Sequence, residues 1–130
     1  MLSENIIVTA YDYLRLRGFA NIDTVKKGKN YLKKKLAAKL DSADIVSPRE
    51  ISPDVVTMNS KLHLKDFQTQ EEMIISLVFP QDANLKRNRL SILTPLGISL
   101  LGCKVGQQIE KRIEVKQLLY QPEASRDFHL

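Results

Sequence analysis

The sequence predicts an α+β protein in which a short antiparallel helical hairpin, a small coiled coil, precedes an antiparallel sheet carrying one short helix. Three observations predict it. Val25, Leu32, Leu36, Leu40 and Ala43 follow one another at steps of seven, four, four and three, which makes one apolar stripe on a helix. Pro48 and Pro53 then interrupt the chain, because each removes a backbone donor and disfavours helix in the residue before it. Beyond them the apolar period becomes two, with Leu62 and Leu64 alternating with Lys61, His63 and Lys65. A basic hairpin over residues 1–47 and a sheet domain over residues 48–130 are therefore expected.

Taken in order, Thr9 stands three residues before Asp12, a variant of the capping box. It opens a helix over about Ala10–Arg17, with Tyr11 and Leu14 on one face, that Gly18 ends. The segment GFANID, residues 18–23, reads as a loop in which Asp23 caps the second helix, and Gly28 weakens that helix by about 1 kcal/mol relative to alanine. After the linker SPREISPDVV come a first strand at residues 61–65, a hairpin turn DFQTQ and a well-buried strand EEMIISLVF. Pro80–Asn88 is a basic, polar loop and LSIL, residues 90–93, a third strand. Thr94 sets a capping hydroxyl before Pro95 at the first helical position, opening the short helix LGISLLG that Gly102 terminates. RIEVKQLLY, Arg112–Tyr120, is the last clear strand, followed by the polar segment QPEASRDFHL.

A chain of 130 residues suits one core, and no run approaches the roughly 18 apolar residues of a membrane span. The stretch MLSENIIVTAYDYLRLRG lacks the basic start and apolar core of a secretory signal, so a cytoplasmic location is expected. Cys103 is a single cysteine, and His63 and His129 are the only imidazoles, so neither an internal disulfide, a metal nor a cofactor is expected. The net charge of +5 is uneven: residues 1–47 carry nine Lys/Arg against five Asp/Glu, a net of +4, and residues 48–130 eleven against ten, a net of +1.

The stretch VVTMNSKLHLKDF, residues 55–67, offers Ser60 and His63 as a nucleophile and a base. Three apart on a strand, they point to opposite faces, so the stretch reads as scaffold and the protein as no enzyme. Lys104 beside Cys103 would lower a thiol pKa, but a small side chain filling a turn between Gly102 and Gly106 explains the cysteine more simply. Lys26, Lys27, Lys29, Lys33, Lys34, Lys35 and Lys39 form either a solvated helix face or a phosphate-binding one, the latter with a steep salt dependence. No helix-turn-helix, zinc-finger or RNA-binding aromatic motif accompanies them.

Three blocks, DVVTMNSKLHL, LSILTPLGISLLGCKVGQQI and LLYQPEASRDFHL, together resemble the Rnk family, regulators of nucleoside diphosphate kinase related to the GreA and GreB transcript-cleavage factors. The likeness is close from Ile51 to Leu130 and looser before, where it rests on the first helix and LAAKLDSADIV. It implies a C-terminal FKBP-like domain, an N-terminal coiled coil shorter than in the Gre factors, and docking on the rim of RNA polymerase near the secondary channel. The Ser/Thr-Pro turn that relatives use there matches Thr94, Pro95 and Leu96. Gre factors carry paired acids at the hairpin tip to help hold a catalytic magnesium ion, whereas GFANID has only Asp23 beside Asn21. A loosely held second Mg²⁺ needs more than one hard oxygen ligand, so the expectation is a monomeric polymerase binder that competes with cleavage factors without stimulating cleavage. The alternative is nucleic-acid binding through Lys26, Lys27, Lys29, Lys33 and Lys34. A prolyl isomerase, which the FKBP-like fold also suggests, would need an apolar aromatic pocket, and here four Phe and four Tyr are scattered with no Trp. Relatives also have a turn with Trp, Pro and Gly before the last strand. Here Glu110 runs straight into Lys111, so either two strands merge or residues are absent from the turn.

Overall fold

A computed structural model of the chain describes residues 6–20 and 30–130. Its elements in order are β1 (Ile7–Thr9), α1 (Ala10–Ala20), α2 (Asn30–Asp41), β2 (Asp44–Val46), β3 (Lys61–Asp66), β4 (Glu72–Val78), β5 (Arg89–Ser91), α3 (Pro95–Leu100), β6 (Gln108–Ile109) and β7 (Ile113–Tyr120). The expected α+β class holds.

Thr9 opens α1 as expected, its Oγ1 accepting from Asp12 N at 3.1 Å. The helix then continues through Gly18 to Ala20 instead of ending at Arg17. Packing overrides local propensity here: Ala20 is buried and the Phe19 ring lies 5.5 Å from that of Phe79, which offsets the cost of a helical glycine. The face presented inward is also different from the expected one. Asp12, Leu16 and Ala20 are buried, whereas Leu14 is 71% exposed and Tyr11 lies at the surface. On α2 the stripe is as read, with Leu36 and Leu40 buried and Leu32 packed against them. Arg17 Nη1 joins the two helices, 3.0 Å from Asp41 Oδ1.

Between Ser47 and Asp54 the chain is neither helix nor strand, as the two prolines require. Beyond it β3 pairs antiparallel with β4 and β7, and β6 with β7, in a sheet of order β5-β4-β3-β7-β6. Leu62 and Leu64 face the core while Lys61, His63 and Lys65 face out. Three expectations need correction. β5 covers Arg89–Ser91 rather than residues 90–93, and it runs parallel to β4, so the sheet is mixed. β4 is buried only at its end, with Ile74 46% exposed, because among the described residues no helix covers the outer sheet face there. A further parallel pair, β1 with β2, brings Ile7–Thr9 beside Asp44–Val46, segments too short to show a period in sequence. One apolar cluster runs from Val8, Leu16 and Leu36 through Met58, Leu62 and Leu77 to Ile98 and Val115.

The last hairpin closes without Gly or Pro. Arg112 N donates to Ile109 O at 3.2 Å, and both intervening residues, Glu110 and Lys111, are left-handed at φ 54° and 57°. Hairpin turns with two positive φ values favour Asn-Gly, and an ordinary side chain there costs about 1 kcal/mol or more. Glu110→Asn with Lys111→Gly is therefore expected to stabilise the protein by about 1 kcal/mol in urea unfolding. An unchanged midpoint would contradict the strain.

Candidate functional site

The turn from Ser91 to Gly97 is built by one hydroxyl used twice. Thr94 Oγ1 accepts from Gly97 N at 3.0 Å, capping α3, and donates to Ser91 O at 2.7 Å, tying the helix start to the end of β5. Thr94 itself is extended, at φ −138° and ψ 155°, and Pro95 takes the first helical position, as its sequence implied. Gly97 permits the approach, since a Cβ there would lie 2.3 Å from Ser91 O. The Pro95 ring is exposed, and Leu96 is half-buried against the core. Beside the turn, Leu32, Pro80, Ser91 and Leu93 line a recess of about 250 Å³. The three residues thus form a rigid corner that presents Pro95 to solvent.

Asn21, Asp23, Lys26, Lys27 and Lys29 lie outside the described residues. Of the remaining basic face, Lys34 and Lys35 are exposed and Lys33 is half-buried. Lys39 does not belong with them. Its Nζ donates to Ile98 O and, at 3.1 Å, to Ser99 O, so it satisfies carbonyls at the end of α3, and burial lowers its pKa. Cys103 Sγ lies 3.0 Å from the same Ser99 O, and burial pushes its thiol pKa up, with Lys39 opposing. A reactive thiol activated by Lys104 is the reverse of this arrangement; the cysteine is buried packing.

Ser60 and His63 are apart, as expected of opposite strand faces. His63 Nε2 lies 2.6 Å from Glu72 Oε1 on the outer face, while Ser60 is fully buried. Ser60 Oγ accepts from Thr57 N at 3.0 Å, and Thr57 Oγ1 donates to Glu123 Oε1 at 2.7 Å. Asp12 completes this group. Its Oδ2 accepts from Met58 N at 3.0 Å and its Oδ1 from Arg15 Nη2 at 2.6 Å. Arg15 also donates to Leu130 O at 3.0 Å and stacks 3.9 Å from the Tyr11 ring centroid. The network joins α1, the turn before β3 and residues 121–130. Asp12 was hidden in the sequence because Thr9-x-x-Asp12 is explained locally as a cap, and only its burial reveals the second role.

Comparison with known proteins gives these features a family. The sequence pattern described as "Transcription elongation factor, GreA/GreB, C-term" matches residues 50–121. The chain belongs to the GreA/GreB family. Within it, the chain is 38% identical over 103 residues to the regulator of nucleoside diphosphate kinase of Escherichia coli (strain K12), covering 73% of this chain and 76% of that protein. It is 34% identical over 86 residues to the elongation factor GreA of Thermodesulfovibrio yellowstonii, spanning 66% of this chain but only 54% of that factor. A solved structure of a prokaryotic transcription elongation factor GreA/GreB from Nitrosomonas europaea superposes with a TM-score of 0.75 at 31% identity, over 91% of this chain and 100% of that one. These GreA/GreB relatives are regulators and elongation factors by name, in keeping with a core network that ties segments together and leaves Ser60 inaccessible. The family match contains the Thr94–Gly97 corner and β3, β4, β5 and β6, and its last residue, Gln121, lies just beyond β7. Among the described residues, no helix is long and apolar enough to cross a membrane.

Proposed function

We propose that the chain is a transcription regulator that binds RNA polymerase near its secondary channel and takes the position of Gre-type factors without stimulating transcript cleavage. On this reading residues 48–130 form an FKBP-like docking domain and residues 1–47 a short helical hairpin, with Thr94, Pro95 and Leu96 at the polymerase rim. The observation that carries it, within the GreA/GreB relationship, is that Asp23 is the sole carboxylate between Asp12 and Asp41. One carboxylate is a poor holder for a second Mg²⁺, so the machinery for assisting cleavage is lacking while the docking corner is kept.

Binding of the chain to purified core RNA polymerase, with a Gre factor as competitor, tests the docking half. Displacement by the Gre factor is expected, and Pro95→Glu is expected to weaken binding about tenfold, as loss of a contact at the centre of an interface does. Pro95 is the informative position because it is exposed, whereas Thr94→Ala would also remove a cap worth about 1 kcal/mol. Unaltered binding of the Pro95 variant would remove the corner from the interface. A stalled elongation complex tests the other half, since RNA shortening stimulated by this chain alone would sink it. Absence of polymerase binding, with salt-sensitive association to nucleic acid lost in Lys33→Gln/Lys34→Gln, would move the function to α2.

A further inference from the structure

On the outer face of the sheet, four neighbouring strands set one row of side chains. Register pairs Arg89 of β5 with Ser76 of β4, Ser76 with Lys61 of β3, and Lys61 with Tyr120 of β7. Paired residues project to the same face, and strands lie about 4.8 Å apart, so Arg89 and Lys61 flank Ser76 across about 10 Å. Two adjoining concavities of about 310 and 410 Å³ share these three residues. Asn59, Val78, Asp82 and Tyr120 complete the lining of the first, and Ile74, Ile75, Arg87 and Asn88 that of the second. The backbone that carries Arg87 is an ordered loop: Asn84 Oδ1 accepts from Lys86 N at 3.1 Å, Asn88 is left-handed at φ 58°, and Asn84 and Arg89 exchange backbone hydrogen bonds of 3.0 and 2.9 Å.

We propose that this row binds the phosphodiester backbone of a single-stranded nucleic acid. Lys61, Arg87 and Arg89 are exposed, and among the described residues none of the three makes an ion pair or a side-chain hydrogen bond. Arg15, Arg17 and Arg112 are by contrast each held by a carboxylate. Three free cations around one groove, interspersed with the Ser76 hydroxyl and the Asn59 and Asn88 amides, match the oxygens of a phosphate chain, whereas the Tyr120 hydroxyl is already donated to Asp127 Oδ2 at 2.5 Å. Asp82 is the single acid in the lining of the two concavities. Three cations against one acid in this lining favour an anionic chain, because nucleic-acid interfaces are polar and positively charged. The site shares no lining residue with the Thr94–Leu96 corner or with the described lysines of α2, and it stands or falls without them.

The test is a fluorescence-anisotropy titration of the whole chain with a short oligouridylate over a range of salt. Lys61→Gln/Arg89→Gln is expected to lower affinity several-fold at low salt and to reduce the slope of log affinity against log salt by about 1.4, two contacts at about 0.7 each. Asp82→Asn is expected to bind more tightly, and Lys33→Gln/Lys34→Gln to keep the wild-type slope. Thermal unfolding of the same variants is expected to match the wild type, because all these residues are exposed or half-exposed at the surface. No binding of the oligouridylate, or an unchanged slope in Lys61→Gln/Arg89→Gln, would overturn the proposal. So would equal binding of a duplex, or of an oligoglutamate of the same charge, the latter reassigning the row to an acidic protein surface.

Discussion

Replacing Gly97 by alanine is expected to destabilise the protein by about 3 kcal/mol, the upper range for forcing an atom into filled space. The added Cβ would sit 2.3 Å from Ser91 O, 2.9 Å from Thr94 Oγ1 and 3.0 Å from Ile92 Cα. Two of these are main-chain atoms, which have no rotamer into which to retreat. The start of α3 must then move off β5, and Thr94 loses the pair of hydrogen bonds that shape the corner. Urea unfolding checks this through a lower midpoint at constant m-value. A loss below about 1 kcal/mol would show that residues 91–97 yield easily, and the corner would then be a poor rigid docking element.

Asp12→Ala is expected to cost about 3 kcal/mol, because the Met58 amide loses its acceptor and Arg15 is left without its carboxylate. The wild-type carboxyl also makes stability depend on pH. Burial pushes its pKa from 3.8 up to about 6, with the Met58 amide pulling it down, Glu123 adding to the rise and Arg15 opposing it. A raised carboxyl pKa means that the folded state holds the proton more tightly than the unfolded state does. Its contribution is therefore greatest below pH 3.8, declines as pH rises to about 6 and is level above. The span corresponds to about 3 kcal/mol at roughly 1.36 kcal/mol per unit. Asp12→Asn abolishes this titration. Measured against the wild type, the asparagine variant is expected to gain relative stability across that window. Parallel pH profiles for the two proteins would show that Asp12 keeps an ordinary carboxylate pKa.

Much of the fold could be read locally. Thr94 and Pro95 announce a helix start through chemistry contained in two residues, the prolines at 48 and 53 break the chain wherever they stand, and Leu62 and Leu64 set the inner face of β3. Features fixed by distant partners were misread. Gly18 looks like a stop until Phe79 is placed against Phe19. β5 looks like one more antiparallel strand until its register with β4 is known, and the row of Arg89, Ser76 and Lys61 exists only through that register. Glu110 and Lys111 carry no turn signal at all; the pairing of β6 with β7 forces their backbone. Of the candidate site, the Thr94 cap and the Pro95 helix start were legible in the sequence, while the burial of Lys39 against α3 depends on a contact 59 residues away.

The Asp12 network also sets a timetable for folding. Asp12 meets Met58 across 46 residues, and Thr57 meets Glu123 across 66. Contacts of such separation form late and slow the search, whereas α1 and α2 are close in sequence and assemble early. On a ribosome adding about 5–20 residues per second, the pair of helices emerges several seconds before the strands that cover Leu16, Leu36 and Leu40. For that interval the nascent chain exposes an apolar stripe beside a string of lysines, whose like charge repels other copies of the same chain.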